Sequence, residues 1–107
     1  MIDRVGIIGL GEVGRILAED LLVRTALDVR VWDYQFDNAA SVAAKNLADL
    51  QDNARVNAAA NAADAARGCQ VVLSAVTADQ ACDAAESILP GLEQGAHFVD
   101  LNSVSPG

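Results

Sequence analysis

Hydrophobic and polar positions along the chain follow two alternating periods. "RVGII" (Arg4 to Ile8) is a short apolar run of strand length. "EVGRILAEDLLVR" then has helical spacing. Val13, Ile16, Leu17 and Leu21 share one face, while Arg15/Glu19 and Asp20/Arg24 form i,i+4 pairs on the other. "DVRVWD" (Asp28 to Asp33) is short and β-branched, a second strand. "AASVAAKNLADLQ" is Ala-rich and helical, with Val42, Leu47 and Leu50 inward and Asp37 or Asn38 as its cap. "ARVNA" around Val56 is a weak strand signal, and "NAADAARG" a short helix capped by Asn61 and stopped by Gly68. "QVVLSAV" (Gln70 to Val76) is the clearest buried strand. "TADQACDAAESIL" is a helix started by Thr77 or Asp79 and stopped at Pro90-Gly91. "AHFVDL" (Ala96 to Leu101) is the last strand. Strands alternating with helices predict an α/β fold with parallel pairing and right-handed crossovers.

Composition narrows the function more than the fold. A chain of 107 residues is one domain at most. Its 52% hydrophobic content argues against disorder. A formal net charge of −8 repels nucleic acid and anionic membrane. Any phosphate it binds must therefore be held locally, by backbone groups. No apolar run is long enough to span a membrane, and "MIDRVGIIG" lacks the features of a signal peptide. Cys69 and Cys82 stand outside any CxxC pattern and read as reduced, partly buried thiols of a cytoplasmic protein. No metal site is expected.

"GIIGLGEVGRIL" supplies the chemistry. It contains Gly9-x-Gly11-x-x-Gly14, follows an apolar strand and opens an amphipathic helix. Gly9 allows the tight turn, Gly11 leaves room for a pyrophosphate against the backbone, and Gly14 lets helix and strand lie close. The helix N-terminus offers free N–H groups and partial positive charge to phosphates. Asp33 stands nineteen residues after Gly14, where an acid hydrogen-bonds the adenosine ribose. A carboxylate there repels a 2′-phosphate, and no Arg follows in "DYQFDN" to clamp one. NAD is therefore expected over NADP. The fold expected is a Rossmann-type doubly wound parallel sheet of about five strands, incomplete at its C-terminal end. Glu12 puts a negative charge in the loop, so its side chain is expected to point away, toward Arg15 or solvent.

Three segments together resemble the β-hydroxyacid dehydrogenase family, which includes 6-phosphogluconate and 3-hydroxyisobutyrate dehydrogenases. "GLGEVGRILAEDL" is similar to the family's glycine loop and first helix (GLGxMGxxMAxNL). "VVLSAVTADQ" is similar to its fourth strand and following loop, and "FVDLNSVSPG" to its D-x-S-T-x-x-P segment. The resemblance spans essentially the whole chain. It implies that Gly9, Leu10, Gly11, Glu12, Val13 and Gly14 form the dinucleotide loop, and that Val76 and Thr77 line the cofactor's central region. It places Asp33, Tyr34 and Gln35 where NADP-using members often carry Asn-Arg-Thr. It also places Asn102 and Ser103 beside nicotinamide and substrate.

The family's catalytic lysine and its glycine-rich substrate segment lie further downstream. The sole lysine, Lys45, falls on the second helix, and the sole histidine, His97, begins the last strand. The resemblance thus implies residues 1–107 as the dinucleotide-binding domain of an oxidoreductase acting on a small hydroxy acid. It further implies that the helical substrate and dimerisation domain is absent, that no catalytic residue lies in this chain, and that an apolar surface left bare by the missing parts favours homo-oligomerisation. Two alternatives share the scaffold. One is an NAD-sensing regulatory domain of the kind that gates potassium transport, for which "GLGEVGRILAEDL…VRVWD" fits nearly as well. The other is a nucleotide-free interaction domain.

Overall fold

The computed structural model describes residues 2–77 and 80–101, apart from the side chains of 81 and 82. Five strands form one sheet: β1 (Arg4–Ile8), β2 (Asp28–Trp32), β3 (Val56–Ala58), β4 (Val71–Ser74) and β5 (His97–Asp100). Their spatial order is β3-β2-β1-β4-β5, and every pairing is parallel. Helices α1 (Glu12–Arg24), α2 (Val42–Leu50), α3 (Ala62–Ala66) and α4 (Ala81–Ile88) connect them, with a 3-10 turn at Leu89–Gly91 closing the last. The α/β alternation and the Rossmann-type parallel sheet expected from the pattern are present.

Side-chain alternation along the strands feeds two cores. Ile7, Val29 and Val31 point to one face and pack with Leu10, Ala18, Ala43 and Leu50, which places α1 and α2 there. Ile8 and Val72 point to the other and meet Ala62, Ala65, Ala66, Ala84 and Ile88, which places α3 and α4 there. The chain reverses direction across the sheet between β1, which leads outward to β2 and β3, and β4, which leads to β5. A crevice opens at the carboxyl ends of the strands at such a switch.

Local chemistry explains most element ends. Ser41 caps α2, its hydroxyl accepting from the Ala44 N–H at 3.1 Å. The expected caps Asp37 and Asn38 sit in the preceding turn instead, where Asn38 accepts from the Ala40 N–H. Asn61 caps α3 as expected, accepting from the Asp64 N–H at 2.8 Å, and Gly68 ends that segment with φ of 76°. Both predicted ion pairs on α1 form.

The rotation of α1 differs from its apolar pattern. Its buried residues are Gly14 and Ala18, with Leu17, Leu21 and Leu22 flanking them, whereas Val13 and Ile16 are more than half exposed. The cause is Gly14, where an added Cβ would overlap the Gly9 carbonyl oxygen. The helix touches the strand through its smallest residues, so its large apolar residues flank the contact line instead of lying on it. Val42 is likewise exposed, because Ala43, Asn46 and Leu50 form the inner face of α2.

Candidate functional site

The loop between β1 and α1 is built around three glycines with different reasons to be glycine. Gly9 has φ of 95°, a left-handed conformation that any side chain would strain. Its N–H continues the ladder by donating to the Trp32 carbonyl at 2.7 Å. Gly14 is required by the close approach of α1. Gly11 is different: its φ of −79° suits any residue, and an added Cβ would meet nothing within 4 Å. Among the described residues no contact explains its missing side chain. Gly11 lines the groove, so what the glycine keeps clear is space beside the loop backbone.

Gly11 is also the N-cap of α1, and among the described residues no side chain caps that helix. Ser41 and Asn61 do cap α2 and α3. The first-turn N–H groups of α1 are therefore open to an acceptor from outside the chain. Glu12 and Val13, in that first turn, carry exposed side chains. Arg15 does not turn to Glu12. It meets Asn46 at 2.8 Å, Asp49 at 2.9 Å and Glu19 at 3.6 Å.

Asp33 follows β2 and is buried, with 8% of its surface exposed. One carboxylate oxygen accepts from the Leu10 N–H at 2.8 Å and the other from the Gln35 N–H at 2.8 Å. The acid thus ties the glycine loop to the loop after β2. Each oxygen keeps acceptor capacity for a further donor. Leu10 itself is buried in the α1/α2 core, so it shapes the loop without presenting its side chain to the groove.

The groove has two lobes of about 230 and about 170 Å³, both bordered by Gly9, Asp33, Tyr34, Val76 and Gln80. The larger runs over Trp32 to Asp83, Ala84 and Ser87 on α4, and its wall is mainly apolar. The smaller adds Gly11, Gln35, Ala75 and Thr77. The structure thus brings Gly9, Gly11, Asp33, Val76 and Thr77 to one groove. It places Glu12 and Val13 on the exposed first turn of α1, with Leu10 and Gly14 in the supporting layer. Asn102 and Ser103 lie outside the described residues. The strand leading to them, β5, ends at the groove end of the sheet, with Asp100 opposite Ser74.

Other reactive groups are elsewhere. Lys45 is exposed on α2. His97 is exposed at the start of β5, opposite Val71 and so at the far end of the sheet. Cys69 is a buried free thiol just before β4, and burial pushes its pKa up to about 11. It is almost wholly protonated near neutrality and is no nucleophile. Among the described residues no cluster of His, Cys, Asp or Glu suits a metal ion.

Sequence reasoning missed two sets of residues. Gln80 ends the segment similar to the family's fourth strand and loop but was given no role, and Asp83, Ala84 and Ser87 give no motif, because the α4 side of a groove is set by packing alone. Asn46 had a faint signal, a polar residue one turn before Leu50 on the inward side of a predicted helix.

Comparison with known proteins agrees with this geometry. A family model described as the NAD binding domain of 6-phosphogluconate dehydrogenase matches residues 4–107. A conserved hypothetical protein from Sinorhizobium meliloti 1021 is similar in structure, with a TM-score of 0.81 and 31% identity over 99% of this chain and 34% of that one. A UDP-N-acetylglucosamine 3-dehydrogenase from Acidithiobacillus ferrooxidans shares the fold at a TM-score of 0.67 and 22% identity, over 94% of this chain and 29% of that one. So does a short-chain dehydrogenase/reductase from Veillonella parvula DSM 2008 in complex with NADP, at a TM-score of 0.66 and 18% identity, over 94% and 47%. The chain therefore spans less than half the length of each of these proteins. A search of curated proteins found no significant match. With the glycine loop, the buried acid after β2 and a family match over nearly all its length, the chain belongs to the NAD(P)-binding domains of the 6-phosphogluconate dehydrogenase type.

Proposed function

We propose that this chain is the cofactor-binding part of an NAD(P)-dependent oxidoreductase acting on a small hydroxy acid, and that it prefers NAD. Gly11 is the observation that carries this reading. It keeps a gap beside a helix N-terminus that none of the described residues caps or fills. A pyrophosphate there would accept from the N–H groups at the start of α1, with the helix dipole in its favour. The fit extends along the groove. Asp33 would take the ribose hydroxyls on its remaining lone pairs, and the apolar lobe between Trp32 and α4 would take the adenine. Val76 and Thr77 would line the path toward the nicotinamide, with Asn102 and Ser103 near the substrate. The nicotinamide ring supplies the hydride chemistry when bound. The chain's own residues bind, orient and exclude water.

The preference for NAD rests on charge. Asp33 would repel a 2′-phosphate, and among the described residues no Lys or Arg lines either lobe to offset it. Calorimetric titration with NAD, NADH and NADPH tests both parts. Tighter binding of NADPH overturns the preference, and binding of none overturns the reading.

The 107-residue chain is expected to bind without turnover. Proton transfer from a substrate hydroxyl needs a base within hydrogen-bond reach. Neither Lys45 nor His97 is among the described residues that line the groove, so a base from another segment is required. Turnover of any small hydroxy acid by this chain, surviving Lys45→Ala and His97→Ala, would refute that. A cytoplasmic location and assembly into a homo-oligomer belong to the same proposal. Among the described residues, no helix is long and apolar enough to cross a membrane. The family match over residues 4–107 favours the dehydrogenase reading over the NAD-sensing alternative.

A further inference from the structure

We infer that Asn46, on α2, is a positioning residue that aims the backbone of the glycine loop at the pyrophosphate. The inference rests on the dinucleotide reading above and adds a residue outside the loop to it.

Asn46 is buried in the helical layer, with 7% of its surface exposed. Its side-chain N–H₂ donates to the Leu10 carbonyl at 2.9 Å and reaches the Gly11 carbonyl at 3.4 Å. Its Oδ1 accepts from Arg15 at 2.8 Å. Arg15 is in turn held by Asp49 at 2.9 Å. The guanidinium can only donate, so it fixes which way round the amide stands: oxygen toward Arg15, nitrogen toward the loop.

The consequence follows from peptide geometry. A trans peptide is planar, with its C=O and N–H pointing in opposite directions. The carbonyl of Leu10 and the N–H of Gly11 belong to one peptide. Drawing that carbonyl toward Asn46 turns the Gly11 N–H away from α2, toward the side where Gly11 lines the groove. The peptide before it is fixed as well, because the Leu10 N–H is held by Asp33. Leu10 is thus gripped at both ends of its backbone, by Asp33 from β2 and by Asn46 from α2. A Gly-rich loop is otherwise the segment with most freedom to rotate its peptides. Asn46 removes that freedom before a ligand arrives, which is preorganisation of a donor.

The test separates aiming from folding. The ¹⁵N-labelled chain is titrated with ADP, which carries the pyrophosphate, and with adenosine, which does not. Wild type, Asn46→Leu and Asn46→Ala are compared, with unfolding midpoints measured for each. Asn46→Leu keeps the volume without the donor, and Asn46→Ala removes both, so one stands in if the other does not fold. The expected result is a loss of ADP affinity on the order of tenfold, the usual size for a lost buried hydrogen bond. Adenosine affinity should hold within about twofold, and the Gly11 amide resonance should shift in the free variant. Equal losses for ADP and adenosine would show that Asn46 is only structural and overturn the inference. Unchanged ADP affinity would overturn it too. Failure of the wild type to bind ADP at all would instead sink the dinucleotide reading, and this inference with it.

Discussion

The two helical layers on this sheet are built on opposite plans. On the α1/α2 side, large residues such as Ile7, Leu10, Val29, Val31 and Leu50 fill the space, and polar side chains reach out of it to hold the glycine loop. On the α3/α4 side, the buried residues are largely alanine: Ala59, Ala62, Ala65, Ala66 and Ala84. Backbone there comes almost against backbone. A Cβ added at Gly6 of β1 would stand 2.5 Å from the Ala65 carbonyl oxygen, and one at Gly91 would overlap the carbonyl oxygen of Ala63. Away from the Gly14 contact, the first layer tolerates changes of shape and tunes the site. The second is a tight fit that tolerates little, and its buried residues reach the groove mainly through Ile8 and Ala84.

The largest effect should come from enlarging the tight side. Gly6→Val and Gly91→Ala each drive a side chain into backbone that cannot yield. Each should cost about 3 kcal/mol or more, the upper range for overpacking. Urea titration followed by circular dichroism measures it. A cost under about 1 kcal/mol would show that α3 slides freely and that the contrast between the layers is false. Gly14→Ala tests the corresponding contact on the other face and should be comparably severe, because the obstacle is the Gly9 carbonyl.

Asp33→Ala should rank next. It removes the tie between Leu10 and Gln35 and the acceptor proposed for the ribose. NAD binding should weaken by about 1–3 kcal/mol, the usual size for a charged hydrogen bond. The gap between NAD and NADP should narrow, which isothermal titration resolves. An unchanged NAD affinity would leave Asp33 as a purely structural clamp. Gly11→Ala should be gentler on the fold and selective for the site. Loss of stability should stay within about 1 kcal/mol, the scale of an N-cap change. Affinity for NAD should fall about tenfold, equal to about 1.4 kcal/mol. The pair Gly11→Ala and Gly14→Ala therefore distinguishes a glycine kept for a ligand from one kept for packing.

The smallest effect is electrostatic and lies on the alanine side. Asp64 accepts from the Ala60 N–H at 3.0 Å and pairs with Arg30 at 3.0 Å. The backbone hydrogen bond from Ala60 is the main cause holding its pKa below the ordinary 3.8; burial opposes it, and Arg30 and Arg67 assist. A carboxylate depressed in the folded state stabilises above its unfolded pKa and loses that contribution as pH falls through the folded one. Thermal midpoints from pH 5 down to pH 2 should therefore drop less steeply in Asp64→Asn than in the wild type. Parallel curves would show that the carboxylate contributes nothing.

The contrast between the layers also explains what the sequence made legible. β1, β2 and β4 were readable because Ile7, Val29, Val31 and Val72 are large and set in short apolar runs. The glycine loop and Asp33 were readable because their spacing is dictated by a local strand–turn–helix. Residues 54–66 carry the weakest pattern, because alanine packs by being small and leaves little periodicity. α3 proved to be only five residues and β3 three. The rotation of α1 departs from its apolar pattern for the same reason: Gly14 and Ala18 make the contact, while Val13 and Ile16, which carry the visible apolar pattern, face outward. Asn46 depends on a contact with Leu10 across 36 positions of sequence, which no local pattern displays.

The central position of β1 sets the order in which the molecule can assemble. Val5 pairs with Val29 on one side and with Val71 on the other. The first pairing closes a short loop, so β1, α1 and β2 can nucleate early, bringing Asp33 to the glycine loop. The second must wait for β4, at the far end of a long stretch of weakly patterned alanine. Contacts of that separation are slow to form, since the entropy of closing the loop comes before any pairing energy. During synthesis, half of the groove should exist well before the wall formed by Val76, Gln80 and α4. A nascent chain halted before Val71 would then hold a finished glycine loop facing half a groove.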